Sequence, residues 1–198
     1  MLNNNVVLYN DVDKKKNITV KEYNKFVDSK DQKAIAEFIY KRLYSRYIKP
    51  FEFNNSIYKN EYKNGFSMMA SSCLLIETLE SFKQGLGDSK NLSAKLFKDF
   101  FTENHNFQEF NTKGDEIYKN IRCGILHQGE TTNGWKINRK KDTSSSYDKK
   151  EVNANEFMEN LKKSLEEYMC NLITEPWDSG LWKNCRTKID KIIENTEG

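Results

Sequence analysis

The segment 115–130 contains the two side chains of the sequence whose types and spacing best suit acid–base chemistry on a phosphate. Arg122 and His127 lie five positions apart, in a chain that has only five arginines and two histidines. On a helix, this spacing corresponds to about 7.5 Å of rise and roughly 140° of turn. The two side chains therefore do not project side by side. A long arginine and a histidine in the last helical turn can nevertheless reach the same groove.

A guanidinium and an imidazole are sufficient for cleaving a phosphodiester without a metal ion. The imidazole of His127 would accept the proton of a ribose 2′-hydroxyl or protonate the leaving oxygen. The guanidinium of Arg122 would hold the phosphate and stabilise the charge that it gains. Because each chain has one such pair, a second histidine would have to come from a second copy, in a two-fold dimer whose motif helices face each other.

Two more polar residues could support this pair. Asn120 precedes the arginine by two positions and could supply a further polar group to the site. Glu77 lies inside the apolar run 66–82. We favour a place for Glu77 at the exposed edge of that helix, or paired to a lysine. The alternative is a buried carboxylate that faces the helix of Arg122, which would need a partner because unpaired buried carboxylates are costly.

The polar segment 131–151 contains the densest basic run of the chain, Arg139, Lys140 and Lys141. The first interpretation is a solvated surface loop or small hairpin, with a turn at Asn133-Gly134, a short strand over 135–137 and a mobile tail after it. The alternative is a basic flap beside His127 that contacts the phosphates of RNA. Both interpretations stay open at the level of sequence.

Neither a metal ion nor a cofactor is predicted. The four cysteines form no CxxC pair, and the only other histidine, His105, has no second ligand at metal-binding spacing. The N-terminus has no long apolar run, and no stretch approaches the length of a membrane span, so we expect no membrane association. The expected location is a reducing cytoplasm, where cysteines stay as thiols.

Hydrophobic periodicity and the scarcity of breakers, two prolines and nine glycines, predict an all-α fold. Apolar residues recur at three- and four-residue steps in each predicted helix. Capping patterns predict helix starts at Thr19 with Glu22, at Ser29 with Gln32, and at Thr112 with Asp115. Helices are expected at about 20–28, from 32 to Pro50, and over 66–82, 92–103 and 113–128, with two more after 153.

These elements predict one helical domain that spans residues 1–198. Its expected parts are a frayed N-terminus at 1–17, with at most one short strand at 5–9, and a core at 19–130 that contains the motif helix 113–128. The polar loop 131–151 follows, and two C-terminal helices fill 153–196. Within the core, Gly124 interrupts the motif helix and would allow another helix, or a second copy of the chain, to pack closely.

The run Arg122-Cys123-Gly124-Ile125-Leu126-His127 resembles the R-x(4–6)-H motif of the HEPN superfamily, and the similarity extends to residues 65–85 and 117–131. It covers roughly residues 60–175. The resemblance implies a helical bundle that forms a homodimer around a shared cleft and acts as a metal-independent endoribonuclease, with Arg122 and His127 as catalytic residues. Many such proteins belong to toxin or antiviral systems, so an antitoxin or regulatory protein is a conceivable partner.

Cys123 departs from the pattern of active HEPN ribonucleases, which often have Asn, Asp or His directly after the arginine. Some domains of this kind only bind RNA or proteins and dimerise, and the mildly basic net charge of +3 also fits such a module. A third possibility is structural: Arg122 and His127 would end the helix and pair with carboxylates such as Glu77 or Glu130. The sequence leaves all three interpretations open.

Overall fold

The computed structural model describes residues 4–12, 14–52 and 63–196 of the chain, and these residues are mainly helical. The all-α prediction is confirmed at this level, with two small two-stranded sheets in addition. Most of the irregular segment predicted at 51–63 lies outside the described residues. The helices are α1 (Val20–Asp28), α2 (Gln32–Tyr47), α3 (Gly65–Gln84), α4 (Ser93–Glu103), α5 (Gly114–Ile117), α6 (Cys123–Gln128), α7 (Ala154–Thr174) and α8 (Gly180–Thr196).

The chain divides into two compact units. The first unit contains residues 1–44, 81–88 and 165–198, and the second unit contains residues 45–80 and 89–164. All the residues singled out for chemistry, from Glu77 to Lys141, belong to the second unit. The expectation of one domain over 1–198 stays a prediction.

The described part of the N-terminal segment, residues 4–12 and 14–17, forms a hairpin in the first unit, so the prediction of a frayed end is wrong for these residues. Strand β1 (Val7–Asp11) pairs with β2 (Lys16–Thr19) in antiparallel register. Leu8 is buried on one face. The Nζ atom of Lys41 lies 2.8 Å from Oδ2 of Asp11, and this hydrogen-bonded ammonium group lowers the pKa of the Asp11 carboxyl group. The alternating burial of residues along β1 and this ion pair stabilise a segment whose polar composition suggests a frayed end.

The helix ends of the first unit show which capping patterns operate. Thr19 accepts the backbone N–H of Glu22 (3.3 Å) and starts α1, as predicted. The second predicted pattern is wrong, because Ser29 follows the end of α1 and Asp31 instead accepts the N–H of Ala34 (3.0 Å). Pro50 lies in a single 3₁₀ turn, Lys49–Phe51, just beyond α2.

Buried faces of α2, α7 and α8 form the core of the first unit, as their periodicity predicts. The Trp182 indole is fully buried and donates to the Leu172 carbonyl (2.8 Å), which joins α8 to the end of α7. The break between these two helices contains Pro176, where the sequence places it. The other large buried residues of this core are Tyr23, Ile35, Phe38, Ile39, Leu43, Phe82, Leu165, Tyr168, Ile189 and Ile193.

An aromatic cluster fills the core of the second unit and supports its functional segments. Phe101 packs edge-on against Phe107, and Phe107 lies 4.8 Å from Phe157, ring centre to ring centre. These contacts join α4, a 3₁₀ segment at His105–Phe110, and α7. His105 is exposed, as the sequence predicts for a surface residue. Further members of the cluster are Phe97, Phe100, Phe110 and Trp135.

The segment 131–151 is largely an exposed loop with a turn at Asn133-Gly134 and a short strand, as predicted, but it does not form a hairpin. Strand β3 (Lys136–Asn138) pairs with β4 (Glu151–Asn153), but the pairing is parallel. Trp135 is buried, and the backbone N–H of Tyr147 donates to Glu109 (2.6 Å). Hydrogen bonds to side-chain acceptors and the buried ring of Trp135 therefore hold this segment in place.

None of the helices in the described residues has both the length and the apolar character needed to cross a membrane.

Candidate functional site

The helix that contains the candidate pair is interrupted by a π turn. The sequence predicts one α-helix over 113–128, whereas α5 and α6 are joined by π-helical residues Tyr118–Arg122. The N–H of Cys123 donates to the carbonyl of Tyr118, five positions back. The wider turn contains an additional residue, so the predicted ridge of isoleucines breaks: Ile121 is buried but Ile125 is only half-buried. Single π turns within α-helices are frequent at functional sites.

The start of α5 is determined by close packing against α4, and no side chain caps it. Thr112 lies in the left-handed region (φ 59°), and the capping residue Lys113 makes no side-chain hydrogen bond. The predicted caps Thr112 and Asp115 are therefore wrong. Gly114 lies so near the backbone of α4 that a Cβ atom there would collide with the carbonyl oxygen of Phe97. A ring contact of 5.5 Å between Phe97 and Tyr118 continues this packing into the π turn.

Glu77 is the partner of Arg122. Its carboxylate accepts the Nε–H of the arginine at 2.9 Å and the hydroxyl of Ser93 at 2.7 Å. Glu77 is 7% exposed, so the favoured interpretation, an exposed edge or a lysine pair, is wrong. The alternative of a buried carboxylate facing this helix is correct. Ser93 was missed, because nothing in the sequence links a helix-starting serine to a carboxylate 16 positions earlier.

The guanidinium of Arg122 is held in place while part of it stays accessible. Its bond to Glu77 uses the Nε–H alone, so that bond does not engage the four N–H donors of the two terminal nitrogens. The guanidinium carbon lies 5.5 Å from the centre of the Tyr118 ring. Burial disfavours the charged form, but the Glu77 carboxylate outweighs it and raises the pKa of Arg122. This arrangement can present a fixed positive charge to an anion.

His127 has a contrasting environment. It is exposed in the last turn of α6, and Gly129 ends the helix in the left-handed conformation (φ 69°), as predicted. Within the part of the chain that the structure describes, no hydrogen bond or ion pair involves its imidazole. The structural interpretation, in which Arg122 and His127 pair with carboxylates such as Glu77 or Glu130, therefore finds no contact to support it at His127. For Arg122, the same interpretation is supported by the hydrogen bond to Glu77.

Gly124 does not make room for another helix. A Cβ atom at this position would lie 2.5 Å from the carbonyl oxygen of Glu130, in the segment that follows the helix. The chain thus turns back over its own helix after Gly129 and fills the space. The expectation that another helix of the chain packs on Gly124 is wrong, because residues 130–132 occupy this position.

Asn120 joins the π turn to that returning segment. Its amide donates to Glu116 (3.1 Å), and its carbonyl oxygen accepts from Thr132 (3.1 Å) and Asn133 (2.6 Å). The backbone carbonyl of Asn120 also accepts the N–H of Thr132 (3.0 Å). Its side chain is buried at 2% exposure. In this structure the amide positions the end of the motif helix, and its bonds do not extend to the candidate pair.

The basic run 139–141 lines a cleft that is separate from the candidate pair. Arg139, Lys140 and Lys141 line an open cleft of about 950 Å³, together with Lys162 and Lys163 of α7. Neither Arg122 nor His127 lines this cleft. Sequence reasoning missed the two α7 lysines. They follow Asn155 by two helical turns and therefore share its face, which is a signal that the sequence does contain.

The thiols do not form a site. Burial raises the pKa of Cys73 to about 12, and Cys185 is likewise buried with a pKa raised to about 12. Cys170 is exposed, and Cys123 is half-buried. No group of three or more His, Cys, Asp or Glu residues that could hold a metal ion occurs within residues 4–12, 14–52 and 63–196.

Comparison with known proteins gives no assignment: no protein-family model matches the chain, and neither a curated protein nor a solved structure is significantly similar to it.

Proposed function

We propose that the protein is a metal-independent endoribonuclease of the HEPN type that acts as a homodimer. The observation that carries the proposal is the arrangement of Arg122. A buried carboxylate fixes its Nε, and an exposed histidine follows within the same helix, after a π turn. The ion pair accounts for the position of the arginine, and the accessible imidazole one and a half turns later supplies the proton-transfer group that the proposed reaction needs.

In the proposed reaction the ribose 2′-oxygen attacks the adjacent phosphorus while the bond to the 5′-oxygen breaks. One imidazole accepts the proton of the 2′-hydroxyl, and a protonated imidazole gives a proton to the leaving 5′-oxygen. The guanidinium of Arg122 stabilises the negative charge of the pentacoordinate phosphate. The products are a 2′,3′-cyclic phosphate and a 5′-hydroxyl.

The second imidazole would be His127 of a second copy of the chain. Two observations support a dimer that brings the motif helices together. His127 is exposed, and its neighbour Leu126 is one of the few large apolar residues that are strongly exposed in the described chain, at 61%. Leu74 of α3, in the same unit, is exposed at 54%. A homodimer that covers the motif helix would bury Leu126 next to the candidate pair.

The test is incubation of the purified protein with single-stranded and structured RNA in excess EDTA. We expect cleavage in EDTA and its loss, by about 100-fold or more, in Arg122→Ala and in His127→Ala. His105→Ala is the matched control, since it removes the only other histidine and should cleave normally. Sedimentation of the unchanged protein should give a dimer. Absence of cleavage across a broad RNA panel, or cleavage that survives both substitutions, would overturn the proposal.

One observation favours a second candidate, a non-catalytic HEPN-like module that binds RNA or protein. The ion pair of Arg122 with Glu77 gives the arginine a structural role without catalysis, and Cys123 stands where active HEPN domains often have a polar residue. This candidate predicts a dimer without turnover whose thermal stability falls on Arg122→Ala. Turnover that depends on His127 would exclude it.

A further inference from the structure

The cleft beside the basic run lies wholly within the second unit. It is bounded by the loop 139–144, by one face of α7 from Asn155 to Lys163, and by residues 48–52 with Met68. Its volume of about 950 Å³ is at the upper end of the range that ligand-binding pockets cover. The cleft is therefore large enough for a ligand bigger than a single phosphate.

Positive charge predominates along this cleft. Five cationic side chains line it against three carboxylates, Glu52, Glu156 and Glu159. Two of these carboxylates are already engaged, Glu52 by Lys162 (2.8 Å) and Glu156 by the backbone N–H of Ser145 (2.7 Å). The cationic members are Arg139, Lys140, Lys141, Lys162 and Lys163.

Three of the lysines keep their charge without an internal partner. Among the residues that the structure describes, no ion pair involves Lys140, Lys141 or Lys163. All three are exposed along the cleft. Several uncompensated ammonium groups along one groove favour a ligand that carries several negative charges.

The loop with the basic run is held in a fixed shape by two amides at the start of α7. Asn153 donates to the carbonyls of Lys140 (2.7 Å) and Thr143 (2.6 Å), while its oxygen caps α7. Asn155 donates to the carbonyl of Arg139 (3.0 Å). These bonds hold the backbone of the loop, and a backbone that is already ordered loses less conformational entropy when a ligand binds.

The floor of the cleft is apolar. Ile48, Met68 and Met158 line it and are nearly fully buried, at 1%, 4% and 5% exposure. Phe51 adds an aromatic ring that is half-buried. An apolar floor beneath a cationic rim matches a nucleotide, whose flat base is apolar on its faces and whose phosphate is anionic.

We infer that this cleft binds a single-stranded RNA chain, at a site distinct from the Arg122–His127 pair, and so guides the substrate. The choice of RNA as ligand rests on the proposed ribonuclease function. A free mononucleotide offers one phosphate group to three separate unpaired lysines, whereas a strand presents one phosphate per residue. The number of separate positive charges therefore favours the strand.

The test measures binding of an end-labelled oligoribonucleotide by fluorescence anisotropy over a series of salt concentrations. The His127→Ala protein serves as the background, so that the probe stays intact. The cleft variant replaces Lys140, Lys141 and Lys163 by glutamine. The control variant replaces Lys98, Lys136 and Lys149, which are exposed lysines of the same unit outside the cleft.

We expect the cleft variant to bind about tenfold or more weakly at moderate salt. The slope of log affinity against log salt should fall by about 2, since each lost phosphate contact to a single strand removes about 0.7. The control variant should bind like its parent. Equal binding by the cleft and control variants would overturn the inference, and so would an unaltered salt slope.

A second arm distinguishes the source of the phosphate. Unlabelled oligoribonucleotide and a nucleoside triphosphate compete separately against the probe. Displacement by the triphosphate at equal molar concentration would overturn the strand assignment, whereas displacement by the oligonucleotide alone supports it. The outcome is independent of catalysis. RNA binding through the cleft without cleavage contradicts only the ribonuclease proposal, and cleavage that is insensitive to the cleft lysines contradicts only this inference.

Discussion

The guanidinium of Arg122 and the imidazole of His127 lie on one helix in opposite environments. Arg122 is bonded to a buried carboxylate and contacts an aromatic ring, whereas His127 is exposed and lacks a bonded partner among the described residues. One group is preorganised by its own chain. The imidazole of His127 would be positioned only when a substrate or a second copy of the chain binds.

This difference matches the two chemical tasks that we propose. Stabilising charge on a phosphate requires a donor that is fixed before the reaction, because reorganising it in the transition state would cost free energy. Transferring a proton requires an accessible group that can approach the reacting oxygen. Substitutions near Arg122 should therefore lower the free energy of unfolding, whereas substitutions at His127 should leave it almost unchanged.

The largest effect is expected for Glu77→Ala. It leaves the half-buried guanidinium of Arg122 without its carboxylate, and breaking such a pair by removing one partner costs about 3 kcal/mol. Urea denaturation would measure the change in the free energy of unfolding. Thr78→Ala, the next residue on the more exposed side of α3, is the matched control and should cost less than about 1 kcal/mol.

The buried thiol of Cys73 provides an independent measure of the same substitution. Cys73 lies one helical turn before Glu77, and burial holds its pKa at about 12, so alkylating reagents should react with it slowly in the folded protein. The exposed Cys170 should react fast and serves as the internal standard. Glu77→Ala should accelerate labelling of Cys73 relative to Cys170. Unchanged stability together with unchanged labelling would show that Arg122 does not depend on Glu77.

An intermediate effect is expected for Gly124→Ala. Alanine favours a helix over glycine by about 1 kcal/mol, but its Cβ would lie 2.5 Å from the carbonyl oxygen of Glu130. Displacing backbone costs more than the propensity gain, so we expect a net loss of about 1–2 kcal/mol. Thermal denaturation measures it, with Gln128→Ala on the exposed side of α6 as the control. A stabilised Gly124→Ala protein would mean that the returning segment is not packed against the helix.

Local signals in the sequence predicted only part of the local structure, since the capping pattern at Thr19 is confirmed but those at Ser29 and Thr112 are wrong. Thr19 caps α1 and Gly129 ends α6, because each of these residues acts on backbone groups within a few positions. The buried faces of the long helices also follow from their periodicity. An all-α class and the position of His127 in a final turn could therefore be predicted.

The features that the sequence did not reveal depend on distant residues. The bond of Arg122 to Glu77 joins positions 45 apart, and the parallel pairing of β3 with β4 depends on where α7 begins. The π turn arises where Gly114 packs against α4 and Asn120 bonds the returning segment, so no periodic pattern encodes it. Long-range packing decides these features, and a single sequence does not display it.

The smallest effect on stability is expected for His127→Ala. The side chain is exposed and makes no hydrogen bond or ion pair within the described residues, so its removal should change the free energy of unfolding by less than about 0.5 kcal/mol. Arg122→Ala, which leaves Glu77 buried without its guanidinium, should cost clearly more. The same two proteins should lose RNA cleavage equally, and this dissociation between stability and activity is what separates catalysis from a structural role. A loss of more than about 1 kcal/mol for His127→Ala would instead place the imidazole among the groups that hold the fold together.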